Sequence, residues 1–270
     1  MMHISDAGIS DAARAVLRGW QDEVDSDPEY ERRVKAAKLS FTRRNRKDNP
    51  TFAHIRDVLS SMCCGAVRCG YCEDSAADEV EHIAPKSLYP ERTFDWANYL
   101  YACGYCNRGK NNSFPLKLAS GQIVDGARKP NTPVLPPPAG TSLLIDPRVE
   151  DPLDYLELDL AGTFRFLPRI GIEALAHERA ETTIEVLDLN RGYLLKARKT
   201  HFQSYQDRLV VYALRRDGGA DAGELDRRRE DLLNQYHPSI FEEMKRQVVL
   251  DPVIRAAFEN VPEALGWVRA

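Results

Sequence analysis

Apolar residues recur at helical spacing over the first sixty positions. Ala12, Val16, Leu17 and Trp20 form one stripe, and Val34, Ala37 and Leu39 resume it after the Ser26-Asp27-Pro28 break. Residues 42–50 (TRRNRKDNP) read as a basic loop closed by proline, and Thr51 to Met62 as a further helix. The pattern then shifts to alternation. Glu79 to Pro85 and Asp95 to Tyr101 read as short strands, with Asn98 near the start of the second, and a helix begins at Cys106. Lys129 to Gly140 (KPNTPVLPPPAG) holds too much proline for a helix or a central strand and reads as an extended connector. Tyr155 to Leu167 alternates around Ala161-Gly162, a hairpin signal. From Ile172 onward helical spacing returns over 173–189, 193–216, 224–235, 239–249 and 252–260, with breaks at Gly192, Gly218-Gly219, Pro238 and Pro252.

The pattern predicts an α+β protein, mostly α. A helical N-terminal region with a basic segment (1–62) precedes a cysteine-bearing core (63–128). A proline-rich connector (129–141) then leads to a hairpin and a C-terminal helical region (142–270). No apolar run approaches eighteen residues, so no membrane span is expected. Met1-Met2-His3-Ile4 opens without a basic stretch followed by an apolar one, which makes the cytoplasm the expected address.

Composition alters this picture little, charge more. The 270 residues carry 37 basic and 41 acidic side chains, a net charge of -4. That excludes a protein that coats nucleic acid through bulk positive charge. The charge is segregated, however. Nine basic residues face three acidic ones between Pro28 and Arg56, and six acidic residues accompany one arginine between Ile145 and Leu160. Within the basic stretch, Arg43, Arg44, Arg46 and Lys47 are candidate contacts to a nucleic-acid backbone, or simply an exposed helix and loop. The acidic run Glu73, Asp74, Asp78, Glu79 reads as solvated surface.

Six cysteines lie at 63, 64, 69, 72, 103 and 106. Cys69-Gly-Tyr-Cys72 and Cys103-Gly-Tyr-Cys106 are two Cys-x-x-Cys pairs, a spacing that brings both sulfurs of a pair to one metal, with glycine allowing a tight turn. Disulfides are disfavoured in a reducing compartment, and a redox dithiol explains one pair but not two. Four thiolates complete a tetrahedral zinc shell with no open position, so this Zn²⁺ would be structural. Cys63 and Cys64 fit neither pair and read as small semi-buried residues.

The segment between the pairs holds the candidate chemistry. Strand, strand and helix pinned by zinc would bring Glu81, His82 and Asn107 toward one point. Glu81 and Asn107 offer oxygen, which suits a hard cation such as Mg²⁺ or Mn²⁺. Asn107 is equally suited to capping the helix that starts beside it. His82 can act as a base near neutral pH, or be a satisfied structural histidine. As a base it ligates nothing, so its replacement by alanine should remove chemistry and leave the fold intact. Lys86, Arg108 and Lys110 are candidate phosphate contacts. The remaining histidines (3, 54, 177, 201, 237) lack metal-ligand spacing and read as structural or exposed.

Glu81-His82, Asn98 and Asn107 in order, framed by the two cysteine pairs, resemble the HNH (ββα-metal) endonuclease motif. The resemblance implies a general base at His82, a loop-bracing asparagine at Asn98, and metal ligands at Glu81 and Asn107. The last motif position is Asn here rather than His, which favours Mg²⁺ or Mn²⁺ over softer metals. A wider resemblance spans about residues 60–200, through Cys69-Gly-Tyr-Cys-Glu73, Glu81-His-Ile-Ala-Pro-Lys86, Tyr89-Pro90, Phe94-Asp-Trp96, Ile145-Asp-Pro147, Asp151-Pro152, Thr183-Ile184 and Leu189-Asn-Arg191. These segments are similar to the PtuB-type HNH nucleases of the Septu anti-phage system, also found with some retrons. That similarity implies a defence role, a DNA or RNA substrate and a controlling PtuA-like ATPase partner. Two other readings compete: a non-catalytic zinc module that binds nucleic acid, and an adaptor that docks onto an ATPase.

Overall fold

The structure, a computed structural model, describes residues 1–127 and 132–269. Three helices open the chain: α1 (Asp11–Asp25), α2 (Tyr30–Arg44) and α3 (Pro50–Met62). Ser10 caps α1, its hydroxyl accepting from the Ala13 N–H, and Asn49 caps α3 just ahead of Pro50. Helix α2 runs to Arg44, so Arg43 and Arg44 are helical rather than part of the basic loop.

Next comes an antiparallel hairpin of β1 (Glu79–His82) and β2 (Tyr99–Ala102), in which Glu81 faces Leu100 and His82 faces Tyr99. Helix α4 (Gly104–Lys110) follows directly. Both strands are shorter than the alternation suggested. Asp95 caps a 3₁₀ turn over Trp96–Asn98, which places Asn98 just ahead of β2. Helix α4 starts two residues before Cys106, because Cys103 serves as its N-cap, with Sγ accepting from the Cys106 N–H.

Beyond α4 lies a three-stranded antiparallel sheet, in the order β4-β3-β5, that the pattern did not foretell: β3 (Pro115–Lys117), β4 (Ile123–Asp125) and β5 (Thr141–Ser142). Part of the expected connector, residues 129–131, falls outside the described residues, and 132–140 form no helix or strand. The expected hairpin is β6 (Leu156–Leu158) with β7 (Phe166–Pro168). Five helices close the chain: α5 (Ala174–Val186), α6 (Gly192–Asp217), α7 (Ala222–Leu233), α8 (Pro238–Gln247) and α9 (Pro252–Glu259). No helix among the described residues is long and apolar enough to cross a membrane.

Two large cores meet at the ββα unit. One joins the four knuckle cysteines and Leu100 to Leu156, Phe166, Leu189, Leu194, Tyr205 and Phe241 of the C-terminal half. The other joins Val80 and Tyr99 to Leu17, Phe41, Phe52 and Ile55 of α1–α3. Successive residues on a strand face opposite ways. Glu79 and Glu81 thus meet α4, while Val80 and His82 meet the aromatic packing of α2 and α3.

Candidate active site and metal centre

The sulfurs of Cys69, Cys72, Cys103 and Cys106 all lie within 4.8 Å of one another, and all four residues are buried. Cys72 Sγ and Cys103 Sγ are 4.0 Å apart, close to the roughly 3.8 Å edge of a tetrahedron with Zn–S bonds of about 2.3 Å. The donor set therefore fits zinc. Neither knuckle glycine adopts positive φ, so tight turning does not explain them. A Cβ on Gly70 would meet Ile4 Cδ1 at 2.8 Å and Leu100 at 3.1 Å, so close packing favours glycine there. The left-handed positions of the first knuckle are Val67 and Glu73 instead. Outside the cluster, burial pushes the thiol of Cys63 up to about 11 and that of Cys64 to about 12, which keeps both protonated and inert.

Arg191, at the start of α6, reaches the cluster from the C-terminal half. Its Nη2 lies 3.5 Å from Cys106 Sγ, its guanidinium stacks near the Tyr105 and Tyr193 rings, and Nη1 donates to the Asp188 carbonyl at 3.0 Å. A zinc with four thiolates carries net negative charge, which this cation offsets. Arg191→Gln is expected to speed zinc loss to a chelator by about 10–100-fold, the usual cost of removing such an outer partner. Release can be timed with a colorimetric zinc indicator.

Asn98 is fully buried. Its Oδ1 accepts from the Ala84 N–H at 2.7 Å, and Nδ2 donates to the carbonyls of Ala84 and Arg92 at 2.9 Å each. It thereby ties both ends of the 84–92 loop to the start of β2. Asn98→Ala strands an amide and two carbonyls and is expected to destabilise the protein by roughly 2–3 kcal/mol, read from the urea midpoint.

Glu81, His82 and Asn107 line one cleft of about 500 Å³. His82 is 3% exposed. Its Nε2 lies 2.9 Å from the Thr93 carbonyl, which also accepts from the Tyr99 hydroxyl at 2.8 Å. A carbonyl only accepts, so Nε2 carries the proton and Nδ1 keeps its lone pair. Burial, aided by the charge of Lys86, holds this imidazole well below the usual histidine range, so it is neutral at physiological pH. The ring packs edge-on against Phe41 and Tyr99, at 4.4 and 5.2 Å. The expectation that alanine here leaves the fold untouched is therefore revised, because truncation opens a hole in that aromatic packing.

Burial also pushes the Glu81 carboxyl upward, opposed by the Lys110 ammonium 2.7 Å from Oε1. The Asn107 amide nitrogen donates to Glu79 Oε2, which turns its oxygen away from that carboxylate and leaves it for a cation. Glu79 was missed by sequence reasoning. The signal was its position two residues before Glu81, on the same strand face.

The candidate phosphate contacts divide. Lys110 is corrected: its ammonium is sealed at 1% exposure, donating to Glu81 and to the His82 carbonyl. Arg44 is also corrected, being buried against Glu23, Ser40 and the Trp20 ring. Arg46 pairs with Asp48 at 3.1 Å, and Arg43 lines a separate recess with Glu23 and Leu39. Arg108 is exposed, 3.9 Å from Glu79. Lys47 and Lys86 line the cleft, as do Asn45 and Arg56, which the sequence did not single out. Nor is the acidic run wholly solvated. Glu73 is buried and accepts from Ser239, and Asp74 lies 3.2 Å from the buried His237.

Comparison with known proteins places this geometry. No curated protein matches the chain. Residues 69–113, from the first knuckle cysteine to the turn after α4, match the family described as HNH endonuclease. The chain therefore carries an HNH domain with a four-cysteine metal-binding cluster.

Proposed function

We propose that the protein is a divalent-metal-dependent endonuclease that hydrolyses phosphodiester bonds in nucleic acid. One observation carries this reading: His82, its tautomer set by the Thr93 carbonyl, shares a cleft with two oxygen donors, Glu81 and Asn107. Those two residues would hold a hard cation such as Mg²⁺. When bound, it supplies charge stabilisation at the phosphate and the leaving oxygen. His82 Nδ1 takes the proton of the attacking water, and Asn98 keeps the loop that carries the Thr93 carbonyl in place. The knuckle ties the 69–72 turn ahead of β1 to the β2–α4 junction and takes no part in the bond-breaking step.

The similarity to Septu nucleases over residues 60–200 supports an effector role in anti-phage defence, under an ATPase partner. The ion pair of Lys110 with Glu81 favours a second reading, a nucleic-acid-binding module, because it occupies one oxygen of the metal-ligand carboxylate. The deciding test offers purified protein plasmid DNA, single-stranded DNA and total tRNA, with and without added Mg²⁺. Cleavage that requires Mg²⁺ supports the enzyme. Inertness towards all three, repeated with a PtuA-like ATPase present, leaves the binding module.

A further inference from the structure

The cleft beside His82 carries both signs of charge. Asp78, Glu79 and Glu81 stand among its lining residues, and so do Lys47, Arg56 and Lys86. Lys47 and Arg56 come from the α2–α3 segment, outside the stretch that matches the HNH family. A cleft with carboxylates alone would repel a phosphodiester, so the cations that share its lining decide whether a strand can enter.

Most cations nearby are already spent on acids of this chain. Arg44 pairs with Glu23, Arg46 with Asp48, Arg108 with Glu79 and Lys110 with Glu81. Among the described residues, Lys47, Arg56 and Lys86 form no ion pair within 4.0 Å, and all three line the cleft. Arg56 is also held in place by neutral groups. It donates Nη1 to Asn45 Oδ1 at 2.8 Å and Nη2 to the Arg46 carbonyl at 2.6 Å, which fixes the loop that presents Lys47. Lys86 lies over the Phe41 ring at 4.8 Å. A guanidinium and two ammonium groups without carboxylate partners, in the same cleft as a candidate cation site, match the charge pattern of a phosphodiester backbone.

We infer that Lys47, Arg56 and Lys86 form the clamp for the substrate's phosphate backbone, so that the N-terminal helices supply the substrate-facing wall of the site. This rests on the nuclease reading for the identity of the substrate. Among the basic residues of the stretch, Arg44 alone is buried, against Glu23 and Ser40.

The test measures binding in the full-length His82→Asn protein, so that the probe survives. Fluorescein-labelled 20-nucleotide probes (single-stranded DNA, the same DNA as duplex, and the RNA) are titrated by anisotropy over a range of KCl at fixed Mg²⁺. Lys47→Gln removes an exposed charge that braces nothing. It is expected to lower the slope of log affinity against log salt by about 0.9 on duplex or 0.7 on a single strand, hence to weaken duplex binding about 8-fold at 0.1 M salt. Arg56→Lys keeps the charge and loses the fork to Asn45 and the Arg46 carbonyl, so affinity should fall with little change in slope. Lys35→Gln, on a side chain paired with Glu31 outside the cleft, should change neither. An unchanged slope in Lys47→Gln, with the parent binding normally, overturns the clamp and leaves the nuclease reading standing. Failure of the parent to bind any probe overturns both.

Discussion

Cleavage should fall by about two to four orders of magnitude when His82 is replaced, the usual contribution of a positioned general base. Because its ring fills aromatic packing against Phe41 and Tyr99, His82→Ala alone mixes lost chemistry with lost stability. The truncation should itself cost a few kcal/mol, on the order of 2–4 for a buried ring. His82→Asn is the cleaner variant, since it fills part of the volume and keeps an amide N–H near the Thr93 carbonyl. The expected result is loss of activity in both, with the asparagine variant melting closer to the parent. The assay is initial rate at saturating Mg²⁺, beside a thermal melt of each protein. A folded His82→Asn protein that retains a tenth or more of the parent rate would remove His82 from the mechanism.

Loss of the knuckle metal should have the largest effect on stability. Structural zinc sites contribute apparent binding energies of about 10–16 kcal/mol in small peptides, comparable to the whole folding stability of a domain at about 5–15 kcal/mol. The four sulfurs here lie inside the core that also holds Leu156, Leu189, Tyr205 and Phe241. Unfolding the knuckle therefore exposes apolar surface far into the C-terminal half, beyond residues 69–113. Cys69→Ser is expected to reduce bound zinc below one per chain and to lower the melting temperature by ten degrees or more, on the order of several kcal/mol. Metal content by elemental analysis and a melt with and without chelator measure both. A Cys69→Ser protein that melts with the parent would remove the metal from the account of the fold.

Sequence legibility followed the range of the interactions. The knuckle spacing, the capped helices and the order Glu81, His82, Asn98, Asn107 are local patterns, and each is readable without knowing what lies across from it. Lys110 and Arg44 misled for the opposite reason. Each sits in the last turn of a helix, where basic residues are commonly solvated. Glu81 and Glu23, which seal them, come from other elements 29 and 21 residues away. Glu73 looked like surface because its partner, Ser239, is 166 residues distant. Strands β3, β4 and β5 are two or three residues long, too short for alternation to register. Arg56 carries no motif. Only the folded loop brings it to the cleft beside Lys47.

The group that sets the protonation of His82 is a main-chain oxygen, and substitution cannot reach it directly. A library covering every side chain at position 93 would leave that carbonyl in every member. A mutational scan would therefore record the ring and overlook what assigns its proton. The device becomes visible through side chains that hold that oxygen in place: Tyr99, whose hydroxyl donates to it, and Asn98, whose amide grips the carbonyl one residue earlier at Arg92. In this site the heritable information for the tautomer is written at positions 98 and 99.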